Sequence, residues 1–294
     1  MNVFGAIEAG GTKFVCGVGT GPHDLETERI DTTSPDRTIE QVVKYFSRHP
    51  ELKSIGVGSF GPVDLRRGII TSTPKPGWKN TPLADLIHDQ LGVPVGFDTD
   101  VNAAALGEHG FGAAQGVSDF LYLTVGTGIG GGALVNGRLL HGLVHPEMGH
   151  IRVRRNPRDS YPGICEAHGD CLEGLACGPA IKARYNQPAN ELPADHEVWE
   201  FETDYLAEAL ATWVCTLSPE LIVMGGGVME QEHLFPRIRT KLLHLLNGYI
   251  RAPRITEQID TYIVPARSDA GVLGALVLAK QAYERSLQQP QENP

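Results

Sequence analysis

The sequence predicts an internally duplicated α/β protein of two domains, and three observations carry that reading. An apolar run, Val3 to Ile7, passes through Glu8-Ala-Gly-Gly-Thr-Lys13 into a second run, Phe14 to Val18, the signature of two strands joined by a glycine turn. The pattern returns at Phe120-Leu-Tyr-Leu-Thr-Val125, Gly126-Thr-Gly-Ile-Gly-Gly-Gly132 and Ala133-Leu-Val135. Strand-like and helix-like stretches alternate after each copy, as α/β architectures require. The pattern recurs but the residues do not, so as a repeat signal it is weak. At 294 residues the chain has room for one large domain or two ordinary ones.

In chain order, Ile39 to Arg48 is helix-like and Ser54 to Ser59 strand-like. A loop rich in proline and glycine follows, Thr73-Pro-Lys-Pro-Gly-Trp78. Pro82 to Leu91 is an amphipathic helix closed by Gly92, and Val93 to Phe97 a strand running into Asp98-Thr-Asp100. Val101 to His109 is helical. The stretch from His145 to Gly178 is too long for a mere connection, and loops of that length in compact domains are functional or disordered. Asp204 to Leu217 is a helix leading to the strand Leu221 to Met224 and then Gly225-Gly-Gly227. Ala270 to Ser286 is helical, and residues 288–294 are expected to form a disordered tail. The expected domains are 1–116, a smaller one joined by the C-terminal helix 270–287, and 117–269, a larger one with the His/Cys loop.

Hydrophobic residues make up 41% of the chain and charged residues 20%, ordinary for a globular protein. A net charge of -10 argues against a nucleic-acid surface, which needs a concentrated basic face. No apolar stretch is long enough to span a bilayer, and the N-terminus has no basic leader or cleavage site, so a cytoplasmic location is expected by elimination. The 35 glycines cluster between apolar stretches, as tight turns near a ligand do. Five cysteines, an odd number, make no disulfide framework. Cys16 and Cys215 lie in apolar runs and read as small buried hydrophobes.

Consecutive glycines present bare backbone N–H groups, and such nests bind phosphate oxygens. One such turn is more often just a hairpin; three, at Gly10-Gly11, Gly126–Gly132 and Gly225–Gly227, each directly after a strand, point to a nucleotide. Gly126, Gly128 and Gly131 fit G-x-G-x-x-G, but a strand follows where the dinucleotide motif needs a helix. Gly11-Thr-Lys13 lacks Walker A spacing, so ATP is expected in a split, two-domain cleft. Asp98-Thr-Asp100-Val-Asn102 lies where a strand ends and a helix begins, the usual place for ligand contacts in α/β folds. A carboxylate there can take a proton from a hydroxyl attacking a phosphoryl group, or simply cap the helix, and the sequence does not rank the two aspartates.

His150, Cys165, His168 and Cys171 offer two imidazoles and two thiolates, a soft set matched to tetrahedral zinc. The C-x2-H-x2-C core wraps one ion and His150 closes the site from a distance; a closed four-ligand site implies a structural metal. Cys177, before Gly178-Pro179, reads instead as a packing site at a helix or turn. Glu147 and Glu173 flank these ligands and read evenly as solvated charge or as groups the metal holds for hydroxyl recognition.

Together these motifs resemble the ROK family of sugar kinases and repressors over nearly the whole chain. Glu8-Ala-Gly-Gly-Thr-Lys13 looks like the family's first phosphate turn and Ile55-Gly-Val-Gly-Ser-Phe-Gly-Pro-Val-Asp64 like its sugar-side loop. Pro146-Glu-Met-Gly-His-Ile151 resembles E-x-G-H, and Gly169-Asp-Cys-Leu-Glu173 resembles G-x-C-x-E. The resemblance implies an actin-like, duplicated ribonuclease H-like ATPase fold with ATP and sugar in the interdomain cleft. It implies that Asp100 is the base that deprotonates a sugar 6-hydroxyl for attack on the γ-phosphate of Mg-ATP. Gly61, Pro62, Thr99, Glu147, His150 and Glu173 would then contact the sugar. Gly10, Gly11, Thr12, Lys13, Thr127 and Gly128 would meet phosphates, and Gly178, Gly226 and Gly227 would border the adenosine. A homodimer is also implied.

Departures from the pattern refine this. The family commonly has Asp where this chain has Glu8, implying a longer or water-mediated Mg2+ contact, and Asn where this chain has Thr99, which removes an amide from the sugar site. His168 stands where the zinc loop usually has a third cysteine. These variations, with Thr73-Pro-Lys-Pro-Gly-Trp78, look most like the bacterial fructokinase branch, so D-fructose to fructose 6-phosphate is the first expectation. Glucose, mannose and N-acyl-mannosamine are the runner-up substrates. A ROK-type repressor is disfavoured, because those carry a helix-turn-helix ahead of the first strand, here at about Val3, and because the charge is acidic.

Overall fold

The structure is a computed structural model and describes residues 2–288. It divides into two compact units. The first comprises the chain up to Gln115, the segment His141–His145 and the chain from Ser268 onward; the second comprises Gly116–Leu140 and Pro146–Arg267. The expected tail lies outside the described residues except for Gln288, which ends the last helix.

The first unit contains β1 (Val3–Ala9), β2 (Lys13–Gly19), β3 (Glu26–Asp31), α1 (Pro35–Phe46), β4 (Leu52–Ser59), β5 (Val63–Asp64), β6 (Ile69–Ile70), α2 (Leu83–Leu91), β7 (Val95–Thr99) and α3 (Asp100–Phe111). The second contains β8 (Phe120–Val125), β9 (Ile129–Val135), β10 (Arg138–Leu139), α4 (Leu172–Ala176), α5 (Gly178–Tyr185), α6 (Val198–Leu217), β11 (Leu221–Gly225), α7 (Leu234–Leu246), α8 (Pro253–Thr256), α9 (Ile259–Tyr262) and β12 (Ile263–Pro265). The last helix, α10 (Ala270–Gln288), returns to the first unit.

The two main sheets have one topology. The orders are β3-β2-β1-β4-β7 and β10-β9-β8-β11-β12, with the first two pairings antiparallel and the last two parallel in each. The duplication suggested by a repeated glycine pattern is therefore a duplication of the whole sheet. The helices follow the expected outlines with shifted ends. For example, α1 begins at Pro35, whose fixed φ suits a first helical turn, rather than at Ile39. Helix α6 begins at Val198 rather than Asp204.

Alternation along β1 sends its side chains to two helical layers. Phe4 and Ala6 pack with Val272, Ala275 and Leu276 of α10, whereas Ile7 and Ala9 join Phe14, Val42, Phe46, Trp78 and Ile87 on the other face. Each large side chain buried completely, as Trp78 and Phe14 are, contributes about 1.5–3 kcal/mol. Helix α3 lies close against α10: a Cβ on Gly274 would strike the Ala103 carbonyl and one on Gly107 the Ala270 carbonyl, so both positions need glycine. In the second unit α6 buries Trp199, Leu206, Leu210 and Trp213 in a core with Leu172, Leu175, Ile238 and Leu242. Cys16 is fully buried, as expected, but Cys215 is exposed. Trp213 and Val214 face that core, and one further residue turns about 100° around the helix, onto the solvent side.

Candidate active site

Parallel pairing brings three strand ends of the first unit to one edge: Ala9 of β1 is level with Ser59 of β4, and Ser59 with Thr99 of β7. The segments that follow, Gly10–Lys13, Phe60–Pro62 and Asp100–Asn102, therefore share the carboxyl edge of the sheet, where ligands of open α/β sheets bind. The turn after β1 closes through Gly10 N–H to Lys13 O (3.0 Å) and is braced by Thr32, whose N–H donates to Thr12 O (2.9 Å) and whose hydroxyl donates to Gly10 O (2.7 Å). A Cβ on Gly11 would meet nothing within 4 Å, so the turn faces open space. Burial raises the Glu8 carboxyl above its usual range, opposed by the charges of Lys13 and Arg29 and by the Val272 N–H it accepts.

After β4 the chain is held from both sides. Phe60 N–H donates to Ala9 O (2.8 Å), and the N–H and hydroxyl of Thr71 both donate to Pro62 O, at 2.8 and 2.9 Å. The rings of Phe60 and Phe14 rest on Trp78, whose indole N–H donates to Thr33 O (2.7 Å).

Asp98, Thr99 and Asp100 do three different things. Thr99 is the N-cap of α3, its hydroxyl accepting the Asn102 N–H at 3.2 Å. Asp98 is buried, and its Oδ1 accepts from Thr99 N–H (2.8 Å) and Asn102 Nδ2 (2.7 Å). Its Oδ2 lies 2.8 Å from His141 Nε2, which is also 3.3 Å from Asn102 Nδ2. One nitrogen cannot both give a proton to the carboxylate and accept one from the amide, so the shorter contact decides that Nε2–H donates to Asp98. Asp100, half-buried in the first turn of α3, accepts the Val101 N–H at 2.9 Å. The two aspartates thus differ in surroundings: Asp98 is buried with three donors around it, and Asp100 is the less buried of the pair.

In the second unit the glycine turns again share one edge. Gly225 at the end of β11 is level with Thr124 of β8. Gly126 N–H donates to Gly128 O (2.9 Å), Gly178 N–H at the start of α5 to Gly126 O (2.7 Å), and Val228 N–H to Val125 O (2.9 Å). Thr127, Gly128, Gly178, Gly226 and Gly227 are thereby gathered, with Thr127 and Gly227 exposed.

Glu173 joins this edge to the His/Cys loop. Its Oε2 accepts the Ile129 N–H at 2.9 Å, and its Oε1 lies 3.9 Å from His150 Nε2. That approach needs glycine at 128, where an added Cβ would sit 2.7 Å from Oε2. His150 turns its other nitrogen the opposite way: Nδ1 is 3.5 Å from Cys171 Sγ and 3.6 Å from Cys165 Sγ, and Cys165 Sγ is 3.6 Å from His168 Nδ1. All four ligand atoms lie within 4.8 Å of one another. A tetrahedral zinc with Zn–N near 2.05 Å and Zn–S near 2.3 Å holds N and S about 3.6 Å apart, so the donor set fits that ion in chemistry and in spacing. Further contacts hold the loop: Cys165 and Gly169 exchange backbone hydrogen bonds (3.2 and 2.8 Å), and Asp170 is paired by Arg152 and Arg155. Cys177, buried at the junction of α4 and α5, stands apart from the quartet as expected. Glu147 remains open to solvent as a residue. Crowding around its carboxyl nevertheless raises the pKa, with His150 pulling it down and Glu173 pushing it up.

His141 and the bridging role of Glu173 were not legible in the sequence. His141 is 43 residues from Asp98, with no motif linking them.

A family model described as "ROK family" matches residues 4–282. A protein of Bacillus subtilis (strain 168) whose fructokinase name is provisional is 50% identical over 291 residues, covering 96% of this chain and 97% of its own. The fructokinase of Pediococcus pentosaceus is 41% identical over 292 residues, covering 97% of this chain and 100% of its own. Among solved structures, a ROK family glucokinase from Streptomyces griseus in complex with glucose and AMPPNP is 26% identical with a TM-score of 0.77, over 95% of this chain and 100% of the other.

Proposed function

The chain belongs to the ROK family, with its actin-like two-domain fold, and from that premise we propose that it transfers the γ-phosphoryl group of ATP to the 6-hydroxyl of D-fructose. The observation that supports phosphoryl transfer is that Asp100 and the glycine turn Gly10–Lys13 lie on the same carboxyl edge of one sheet, two strands apart with Phe60–Pro62 between them. Fructose is favoured because full-length identity is 41% to a fructokinase and 26% to a glucokinase.

In this reading Asp100 takes the proton of the attacking hydroxyl as the oxygen bonds to phosphorus and ADP leaves. Asp98, spent on three donors, serves the geometry of α3. Gly61, Pro62, Thr99, Glu147, His150 and Glu173 form the sugar-binding set. Thr99 keeps a hydroxyl that already caps the helix, so it offers the sugar less than a side-chain amide would. The backbone of Gly10–Lys13, with the Lys13 ammonium, and of Thr127–Gly128 faces phosphate oxygens. Gly178, Gly226 and Gly227 border the adenosine. Magnesium neutralises charge on the phosphates when bound. Glu8 is the carboxylate that would assist in holding the ion, directly or through water, while it accepts the Val272 N–H. His150, Cys165, His168 and Cys171 would hold zinc as a structural brace, His150 offering the Nδ1 that lies among the sulfurs while its Nε2 lies near Glu173.

A coupled ADP-release assay over fructose, glucose, mannose and N-acyl-mannosamine tests the assignment. Fructose is expected to give the highest kcat/KM, and equal or better turnover of glucose would overturn it.

A further inference from the structure

We infer that His141 is a positioning residue for phosphoryl transfer, acting through Asp98 on the helix turn that carries Asp100; this rests on the reading of Asp100 as the proton acceptor. Four bonds tie the group together. His141 Nε2–H donates to Asp98 Oδ2 (2.8 Å), while Thr99 N–H and Asn102 Nδ2 donate to Asp98 Oδ1 (2.8 and 2.7 Å). Asn102 N–H in turn donates to Thr99 Oγ1 at 3.2 Å. Asp100 is the one residue between the capping Thr99 and Val101, whose N–H its own carboxylate accepts at 2.9 Å.

Thr99 and Asn102, which bracket Asp100 and Val101 in the chain, are thus both tied to the Asp98 carboxylate, and that carboxylate has a donor from outside the turn. His141 supplies it from the segment His141–His145, which follows β10 in sequence yet packs with the first unit. Asp98 and Asn102 are buried, with 5% and no exposure, so only solvent entering the space that His141 leaves can meet Oδ2 in its place, and a mobile water holds the carboxylate less firmly than a fixed imidazole. The buried Asn102 Oδ1 already lacks a hydrogen-bond partner among the described residues, so the amide cannot flip to compensate without turning that oxygen on the carboxylate. The His141 side chain is itself 42% exposed, so its removal leaves no core cavity. The expected consequence is a looser carboxylate at position 100, and small misplacements of a reacting group cost rate rather than binding.

Three variants separate this from a generic structural role. In His141→Gln the amide nitrogen occupies the place of Nε2. In His141→Asn it falls at the reach of Nδ1, and in His141→Ala there is no donor. His141→Ala and His141→Asn are expected to lower kcat about tenfold with KM for the sugar within about twofold, and His141→Gln to recover at least half of the wild-type kcat. Hydrogen exchange at the Val101 and Asn102 amides should speed up about tenfold in His141→Ala and be restored in His141→Gln. That readout needs no turnover, so it decides the contact even if wild-type protein phosphorylates none of the sugars, an outcome that would sink the functional reading instead. Unchanged kcat and exchange in His141→Ala would overturn the inference, as would a change confined to sugar KM, which would make His141 a substrate contact.

Discussion

Removing the metal from the quartet of His150, Cys165, His168 and Cys171 should loosen the second unit and the sugar contacts together. Three of the four N–S separations, 3.5, 3.6 and 3.6 Å, already match the roughly 3.6 Å that a tetrahedral zinc sets, and all four ligand atoms lie within 4.8 Å of one another, so binding needs only a modest closing of the quartet. With free zinc about a thousandfold above Kd, binding only the folded state contributes about 4 kcal/mol. For a domain of about 150–250 residues each kcal/mol is worth roughly 2–4 °C, so chelation should lower Tm by about 8–16 °C. The route to the sugar is short: His150 Nε2 is 3.9 Å from Glu173, whose other oxygen accepts the Ile129 N–H at 2.9 Å. Sugar KM should therefore rise with metal loss while the residual kcat changes less. The assay is thermal unfolding with and without a strong chelator, paired with sugar titrations and metal analysis, which should find about one zinc per chain. Cys171→Ser should reproduce the chelated state. Metal-free protein with unchanged Tm and unchanged sugar KM would refute the reasoning.

Two further perturbations probe the second unit. In Gly128→Ala the new Cβ would sit 2.7 Å from Glu173 Oε2, displacing it from Ile129 N–H. KM for both substrates should rise, by about tenfold, and steady-state kinetics matching wild type would contradict the placement of Glu173. Glu202 is buried in α6 with neither carboxylate oxygen hydrogen-bonded among the described residues, and desolvation raises its pKa well above 4.5 despite the Arg184 charge. The folded state then holds the proton more tightly than the unfolded one, so stability falls as pH rises from about 4.5 through the raised value, at up to about 1.4 kcal/mol per pH unit. Glu202→Gln should remove that slope and raise Tm at neutral pH; a variant less stable than wild type at pH 7, with the slope intact, would show that the carboxylate is compensated.

How much of this was legible beforehand differs by feature. The glycine turns after β1, β8 and β11 stood out because they interrupt apolar runs, and the quartet stood out because two thiols and two imidazoles crowd into one loop. Short strands such as β3 (Glu26–Asp31) did not, since five of its six residues are exposed and carry no apolar period. Helix α7 was also missed: an apolar face split by Arg237, Arg239 and Lys241 declares itself only when packed against α6. Within the site, residue types announced Asp98 and Asp100 equally. Only the fold, by bringing His141 and Asn102 onto Asp98, distinguishes the surroundings of the two carboxylates.

Asp100→Asn tests most directly whether Asp100 removes the sugar proton. General-base catalysis contributes about 10²–10⁴ in rate, so kcat with fructose should fall by that factor. Calorimetric Kd for fructose should stay within about threefold, because the amide keeps the shape and an acceptor oxygen for the Val101 N–H. A variant that keeps most of its turnover, or one whose rate loss is matched by an equal loss of fructose affinity, would contradict the assignment.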